Sequence, residues 1–176
     1  MAGAAIRIPD PSLVVLIGAA GAGKSTFARR WFAPAEILSS DALRAELGHG
    51  EADQRVSRIA FSVLHERLRA RLAAGRLTVV DATNLLPGAR RAVLARRPDA
   101  SFPTIALVFD PPPDTVRDRN ASRRERTVPR AVVERQIAAM LRVSGERLQA
   151  EGFEAGGIHR IVDGSTVEVV RGLVRS

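Results

Sequence analysis

The chain has 176 residues, 45% of them hydrophobic, which suits one compact domain over residues 1–176. It has no cysteine, no apolar run near the ~20 residues that cross a bilayer and no secretory leader pattern, so we expect a cytoplasmic protein without disulfides, thiolate-bound metal or membrane contact. The net charge of +8 is compatible with nucleic-acid binding, but 26 of the 27 basic residues are arginine, a bias that can also reflect genomic coding composition.

Apolar runs alternate with helical patterns along the chain. The predicted strands are Leu13–Ile17, Glu36–Leu38, Leu77–Val80, Thr104–Phe109 and Ile158–Val162. The predicted helices are Lys24–Trp31, a short one ending at Leu47, Gln54–Ala74, Pro87–Arg97, Asp114–Asn120, a long one ending near Gln149, and Ser165–Val174, with a loop at Gly48–Asp53. This order predicts an α/β fold with a parallel, doubly wound sheet of about five strands, whose ligands bind beyond the carboxyl ends of the strands.

The segment that follows the first predicted strand has the sequence GAAGAGKS and fits G-x-x-x-x-G-K-[S/T] at every fixed position. Glycines let the backbone wrap around phosphate oxygens, Lys24 would reach the β- and γ-phosphates, and the Ser25 hydroxyl would bind Mg²⁺. The motif predicts a three-layer P-loop NTPase fold that binds ATP or another nucleoside triphosphate with Mg²⁺. The predicted nucleotide-binding residues of this segment are Gly18, Ala19, Ala20, Gly21, Ala22, Gly23, Lys24, Ser25 and Thr26.

A carboxylate, Asp81, ends the predicted strand Leu77–Val80 and is a candidate to hold Mg²⁺ directly or through water. The alternative is that it caps the turn that follows. Because Lys24 is the single lysine, the guanine-reading pattern N-K-x-D is excluded. This argues against a conventional GTPase but leaves GTP open as a phosphate donor.

A second carboxylate, Asp41, follows Ser39 and Ser40 at the end of another predicted strand. Asp41 could accept the proton of an attacking hydroxyl, and Arg44, one helical turn later, could hold an anionic part of the acceptor. The alternative is that Asp41 caps the short helix that follows.

An arginine cluster lies in residues 117–130, before the predicted long helix. Its members are Arg119, Arg123, Arg124 and Arg126. Such a segment is typical of a lid that closes on the transferring phosphate, with Arg123 catalytic and Arg119 and Arg126 on the nucleotide. The alternative is a solvated helix face, which would normally carry more acidic residues.

Together these motifs resemble the kinase module of bacterial polynucleotide kinase-phosphatase and, more distantly, phage polynucleotide kinase. The resemblance extends over roughly residues 13–170 and rests on the P-loop, on Ser39-Ser40-Asp41 with Arg44, on the run LTVVDATN that ends at Asn84, and on the arginine cluster. It implies transfer of the γ-phosphate to a 5′-hydroxyl of RNA or DNA, with Asp41 as general base. It also makes Ser40, Arg44 and Asn84 candidate acceptor contacts.

Three functions remain open on the sequence. The first is a polynucleotide 5′-hydroxyl kinase. The second is a kinase for a small acceptor such as a nucleoside, a sugar or a nucleoside-like antibiotic, because the chain has few aromatic side chains to stack on a nucleic-acid strand. The third is an ATP-driven switch that transfers no phosphate. No partner protein is indicated.

Overall fold

The computed structural model describes residues 4–47, 54–122 and 127–173 of the chain. Five strands form one parallel sheet in the order β3-β4-β2-β5-β6, and a separate pair, β1 and β7, forms a second parallel sheet. The strands are β1 (Ala4–Asp10), β2 (Leu13–Ile17), β3 (Ile37–Ser39), β4 (Thr78–Asp81), β5 (Thr104–Phe109), β6 (Ile158–Ile161) and β7 (Val167–Leu173). The prediction of a parallel sheet of about five strands is therefore confirmed.

The described residues form seven α-helices. They are α1 (Lys24–Trp31), α2 (Ser40–Leu47), α3 (Gln54–Ala73), α4 (Pro87–Leu94), α5 (Pro113–Ala121), α6 (Arg130–Met140) and α7 (Gly145–Glu151). In the described parts of the chain, no helix is both long enough and apolar enough to span a bilayer.

Alternate residues of the central strands face two separate hydrophobic clusters, as expected for a sheet covered on both sides. On one side Leu13, Val15 and Ile17 of β2 pack with the apolar stripe of α3 and with residues of α4 and α7. On the other side Val14 and Leu16 pack with α1 and the β1/β7 pair. This layering fixes the carboxyl ends of β2, β3 and β4 at one edge of the sheet.

The C-terminal segment corrects one prediction, because residues 167–173 form strand β7 and not a helix. Its pairing with β1, a strand that the sequence interpretation missed, runs from Ala4 opposite Val167 to Asp10 opposite Leu173. Ile6 and Ile8 of β1 are 5% and 0% exposed and cover one face of the central sheet. The β-branched valines of this segment favour a strand once a partner is present, and that partner lies more than 150 residues away in the sequence.

The predicted long helix ending near Gln149 is also wrong, because α6 stops at Met140 and α7 starts at Gly145. Ser144 has extended backbone angles and its hydroxyl accepts a hydrogen bond from Arg147 N–H, so it caps a new helix. The predicted loop at Gly48–Asp53 lies outside the described residues, as do Arg123, Arg124 and Arg126 of the predicted lid.

Candidate functional site

The loop between β2 and α1 has a backbone path that needs glycine at two positions. Gly21 and Gly23 have φ angles of +91° and +98°, a region that side chains with a Cβ rarely adopt. A Cβ at Gly21 would also lie 2.6 Å from the carbonyl oxygen of Val116 in α5. The loop is thus packed tightly against α5 in a conformation that requires glycine, and phosphate binding by residues 18–25 stays a prediction.

Lys24 is the first residue of α1 and is only 7% exposed. Its Nζ donates hydrogen bonds to the carbonyl oxygens of Gly18 at 2.9 Å and Ala19 at 2.8 Å. The ammonium group therefore lies against the loop that it would serve, close to where the loop leaves β2. Ser25 is partly exposed and Thr26 is exposed at the same helix start.

The segment after β4 is hydrogen-bonded to the start of the phosphate loop and to β2. The N–H of Gly18 donates to the carbonyl oxygen of Thr83 at 3.0 Å, and the Asn84 side chain donates to the carbonyl oxygen of Leu16 at 2.8 Å. Asn84 is 4% exposed and has a left-handed φ of 48°. These contacts give Asn84 a role in joining β4 to β2, and its assignment as an acceptor contact stays a prediction.

Arg90 is a residue that the sequence analysis did not single out, although it anchors this same segment. Its side chain is 1% exposed and forms a bidentate ion pair with Glu151 of α7, with both N···O distances 2.6 Å. Its Nη1 also donates to the carbonyl oxygens of Asn84 at 2.9 Å and Leu85 at 2.7 Å. A buried arginine with four hydrogen bonds fixes the backbone after β4, which in turn fixes the start of the phosphate loop.

Asp81 ends β4 directly beside the phosphate-loop strand, because the preceding residue, Val80, pairs with Val15 of β2. It is 7% exposed. Among the described residues no three acidic, histidine or cysteine side chains cluster to form a metal site of their own. The Asp81 carboxylate and the Ser25 hydroxyl are both oxygen donors of the kind that Mg²⁺ prefers, and their assignment as magnesium ligands stays a prediction.

Asp41 lies at the same edge of the sheet, two residues after β3. Ser39 of β3 pairs with Asp81, and β4 separates β3 from β2, so β3 lies about 10 Å across the sheet from β2, the strand that leads into the phosphate loop. Its side chain is 57% exposed and forms an ion pair with Arg44. The Ser39 hydroxyl accepts a hydrogen bond from Ala42 N–H, so this residue supplies a cap for α2. Ser40 is buried at the helix start.

Helices α5 and α6 close the other side of the phosphate loop. Val116 and Val133 form a small cluster with Ala19. Arg117 donates hydrogen bonds to Glu134 at 2.7 and 2.9 Å and to Asp114 at 2.7 Å. These bonds, the ones to Glu134 most strongly, raise the pKa of Arg117 above its usual range. These contacts hold the two helices together on either side of the predicted lid.

Two further side chains of this region face the site. Arg119 lies near Gly23, since a Cβ there would be 3.5 Å from Arg119 Nη1. It also contributes to the lowered pKa of Asp163, which is caused mainly by hydrogen bonds from Ser165. Asn120 is 5% exposed, accepts from Val128 N–H at 3.2 Å and donates to the Val128 carbonyl at 2.8 Å. Arg119 therefore lies beside the phosphate loop, and its contact with the nucleotide stays a prediction. Asn120 joins α5 to the backbone of Val128.

The sheet order, the loop and the lysine define a nucleotide-binding P-loop protein with a kinase-like α/β fold. The chain belongs to the AAA domain family, whose model matches residues 13–146. No curated protein sequence matches the chain significantly.

Several solved structures share the fold. One from the Pnkp1/Rnl/Hen1 RNA repair complex has a TM-score of 0.62 at 21% identity, covering 84% of this chain and 47% of that chain, so this chain spans about half its length. A sugar kinase from Janibacter sp. has a TM-score of 0.55 at 18% identity, covering 93% and 85% of the two chains. Kti12 from Chaetomium thermophilum, in complex with ADP-AlF3, has a TM-score of 0.60 at 17% identity, covering 91% and 89%.

Proposed function

We propose that the protein transfers the γ-phosphate of a nucleoside triphosphate to a hydroxyl acceptor, and that this acceptor is the 5′-hydroxyl of a polynucleotide. The observation that carries the proposal is the arrangement at one sheet edge: a phosphate loop with Lys24, a carboxylate at Asp81 beside it, and the Asp41–Arg44 pair two strands away. A switch that only hydrolyses ATP has no need of the Asp41–Arg44 pair.

In this mechanism the chain's own groups bind and orient both substrates. Backbone N–H groups at the start of α1 and the Lys24 ammonium neutralise the phosphates of the donor, and Arg119 lies against the same loop. Magnesium held by Ser25 and Asp81 would supply further positive charge next to the transferring group. Exclusion of water is assigned to the segment 117–130, in which Arg123 and Arg126 are proposed to contact the transferring phosphate.

Asp41 is proposed to take the proton of the attacking hydroxyl. The oxygen of that hydroxyl forms the new bond to phosphorus, the bond to the bridging oxygen breaks, and the nucleoside diphosphate leaves. Arg44 holds the carboxylate through their ion pair, and we propose that it also contacts an anionic acceptor. The acceptor phosphates of a polynucleotide supply such an anion.

The aromatic residues favour a second candidate, a kinase with a small acceptor. Four phenylalanines are buried, namely Phe27, Phe32, Phe109 and Phe153, and Trp31 and Phe102 are partly buried against the core. Among the residues that the structure describes, Phe61, at 36% exposure, is the most exposed phenylalanine or tryptophan. A strand-binding groove usually offers several aromatic platforms, whereas a nucleoside or a sugar does not require them.

The test is transfer of radiolabelled γ-phosphate from ATP, and in parallel from GTP, to a 5′-hydroxyl oligonucleotide and to a panel of nucleosides and sugars. Asp41→Asn is compared with Asp114→Asn, because Asp114 is also an exposed aspartate in the first turn of a helix that pairs with the arginine three residues later. The polynucleotide acceptor is supported if the oligonucleotide is labelled and this labelling is abolished by Asp41→Asn but not by Asp114→Asn. Labelling of a small acceptor alone overturns that acceptor in favour of the second candidate.

A further inference from the structure

One peptide unit of the phosphate loop is bonded at both ends by side chains. The carbonyl oxygen of Ala19 accepts a hydrogen bond from Lys24 Nζ at 2.8 Å. The N–H of the same peptide, which belongs to Ala20, donates to Oε1 of Gln136 at 2.8 Å. Gln136 belongs to α6, so a residue 116 positions away in the sequence reaches the loop through the same peptide that holds the lysine.

The packing of α6 fixes Gln136 in this position. Val133, one turn earlier on α6, is 1% exposed and lies in one cluster with Ala19 of the loop. Ile137, adjacent to Gln136, packs against the same cluster. Residues three and four apart share a helix face, so the carboxamide is delivered to the loop by a helix that is already anchored there.

The hydrogen bond also fixes which way the carboxamide faces. A backbone N–H is a donor only, so the atom of Gln136 that meets Ala20 must be the oxygen, and Nε2 with its two hydrogens points away from the loop amide. Gln136 is partly exposed, which leaves room for a ligand beside it. The lysine of a P-loop reaches the β- and γ-phosphates, so the peptide that holds Lys24 marks this end of the nucleotide site.

We infer that Gln136 is a γ-phosphate-binding residue, whose carboxamide is oriented by Ala20 N–H and donates from Nε2 to the terminal phosphate of a bound nucleoside triphosphate. This inference rests on the proposed function. It makes α6 the element that distinguishes a triphosphate from a diphosphate, since ADP has no group at that position.

The experiment compares the affinities of ADP and of the non-hydrolysable analogue AMP-PNP, both with Mg²⁺, by isothermal titration calorimetry. Gln136→Leu removes both hydrogen-bonding groups, whereas Gln136→Glu keeps an acceptor for Ala20 N–H but replaces the donor with a negative charge. Gln149→Leu is the control, because Gln149 is exposed on α7. Thermal melting establishes that each variant is folded, and Gln136→Asn, whose side chain is one methylene shorter, is used if Gln136→Leu does not fold.

We expect Gln136→Leu to weaken AMP-PNP binding about tenfold relative to ADP, because a hydrogen bond to a charged phosphate is lost. Gln136→Glu should lower the ratio of AMP-PNP affinity to ADP affinity further, because its carboxylate repels the terminal phosphate. Gln149→Leu should leave this ratio unchanged. An equal loss for both nucleotides, or an unchanged ratio in Gln136→Glu, would overturn the γ-phosphate contact and leave the proposed function intact. A wild-type protein that binds neither nucleotide would overturn both.

Discussion

The ion pair between Arg90 and Glu151 provides a quantitative test of how the site is held. Arg90→Met keeps a long apolar stem but removes the guanidinium, which leaves the Glu151 carboxylate, 9% exposed, without its partner. The carbonyl oxygens of Asn84 and Leu85 lose their donor as well. Removing one partner of a buried ion pair costs about 3–5 kcal/mol, because the remaining charge stays buried.

For a chain of this size, 1 kcal/mol corresponds to about 2–4 °C in melting temperature, so Arg90→Met should lower it by about 6–20 °C. The assay is thermal and urea unfolding followed by circular dichroism. Arg67→Met is the control, because Arg67 also pairs in a bidentate way with a glutamate, Glu46, but the two side chains are 48% and 55% exposed. Exposed pairs contribute little.

Equal changes in melting temperature for Arg90→Met and Arg67→Met would refute the reasoning that burial makes the Arg90 pair structurally important. The double variant Arg90→Met/Glu151→Met adds a second measurement. Because it leaves no buried charge, it should recover part of the stability lost in Arg90→Met.

Three further predictions concern the phosphate loop, the contact of Asn120 with Val128, and the pH dependence of stability. Gly21→Ala should abolish nucleotide binding and destabilise the fold by about 1–3 kcal/mol, because Gly21 has a φ of +91° and a Cβ there would meet the backbone of Val116. Gly88→Ala is the control and should be neutral or stabilising, because Gly88 lies in a helix and a Cβ there would meet open space. Calorimetry measures nucleotide binding and urea unfolding measures stability for both variants. Asn120→Ala should lower the free energy of unfolding by about 1–3 kcal/mol, because the two hydrogen bonds with Val128 are lost; wild-type stability in this variant would contradict the role given to Asn120. Burial, with a smaller effect of Arg96, lowers the pKa of His65 below its usual 6.5, so the unfolded chain binds the proton more readily than the folded chain. The free energy of unfolding should therefore fall as the pH drops through 6.5. His65→Gln should make this fall less steep, and a pH profile of stability that His65→Gln leaves unchanged would contradict the prediction.

The sequence predicted the features that local pattern determines. The phosphate loop is specified by fixed residues over eight positions, and the strands β2 and β5 were predicted with the bounds that the structure has. The helix α3 is recognisable because one face of a single segment is apolar. Each of these signals is contained in one stretch of chain.

The features that were missed depend on distant partners. Strand β7 pairs with β1, more than 150 residues earlier in the sequence. Without that partner, the local pattern of residues 165–174 did not outweigh a helical interpretation. Arg90 looks like any other of the 26 arginines until Glu151 is placed beside it. Gln136 shows no motif, and only the packing of α6 brings it to Ala20.

The most direct test of the central claim separates phosphate transfer from hydrolysis in one reaction. Labelled acceptor and released inorganic phosphate are measured together, with the acceptors described above, for the wild type, Lys24→Met and Asp41→Asn. The account predicts that the wild type transfers phosphate only when an acceptor is present. Lys24→Met should lose both transfer and nucleotide binding. Asp41→Asn should retain nucleotide binding while the rate of transfer falls at least about 100-fold. Release of phosphate without any labelled acceptor, at a rate that Asp41→Asn leaves unchanged, would contradict it.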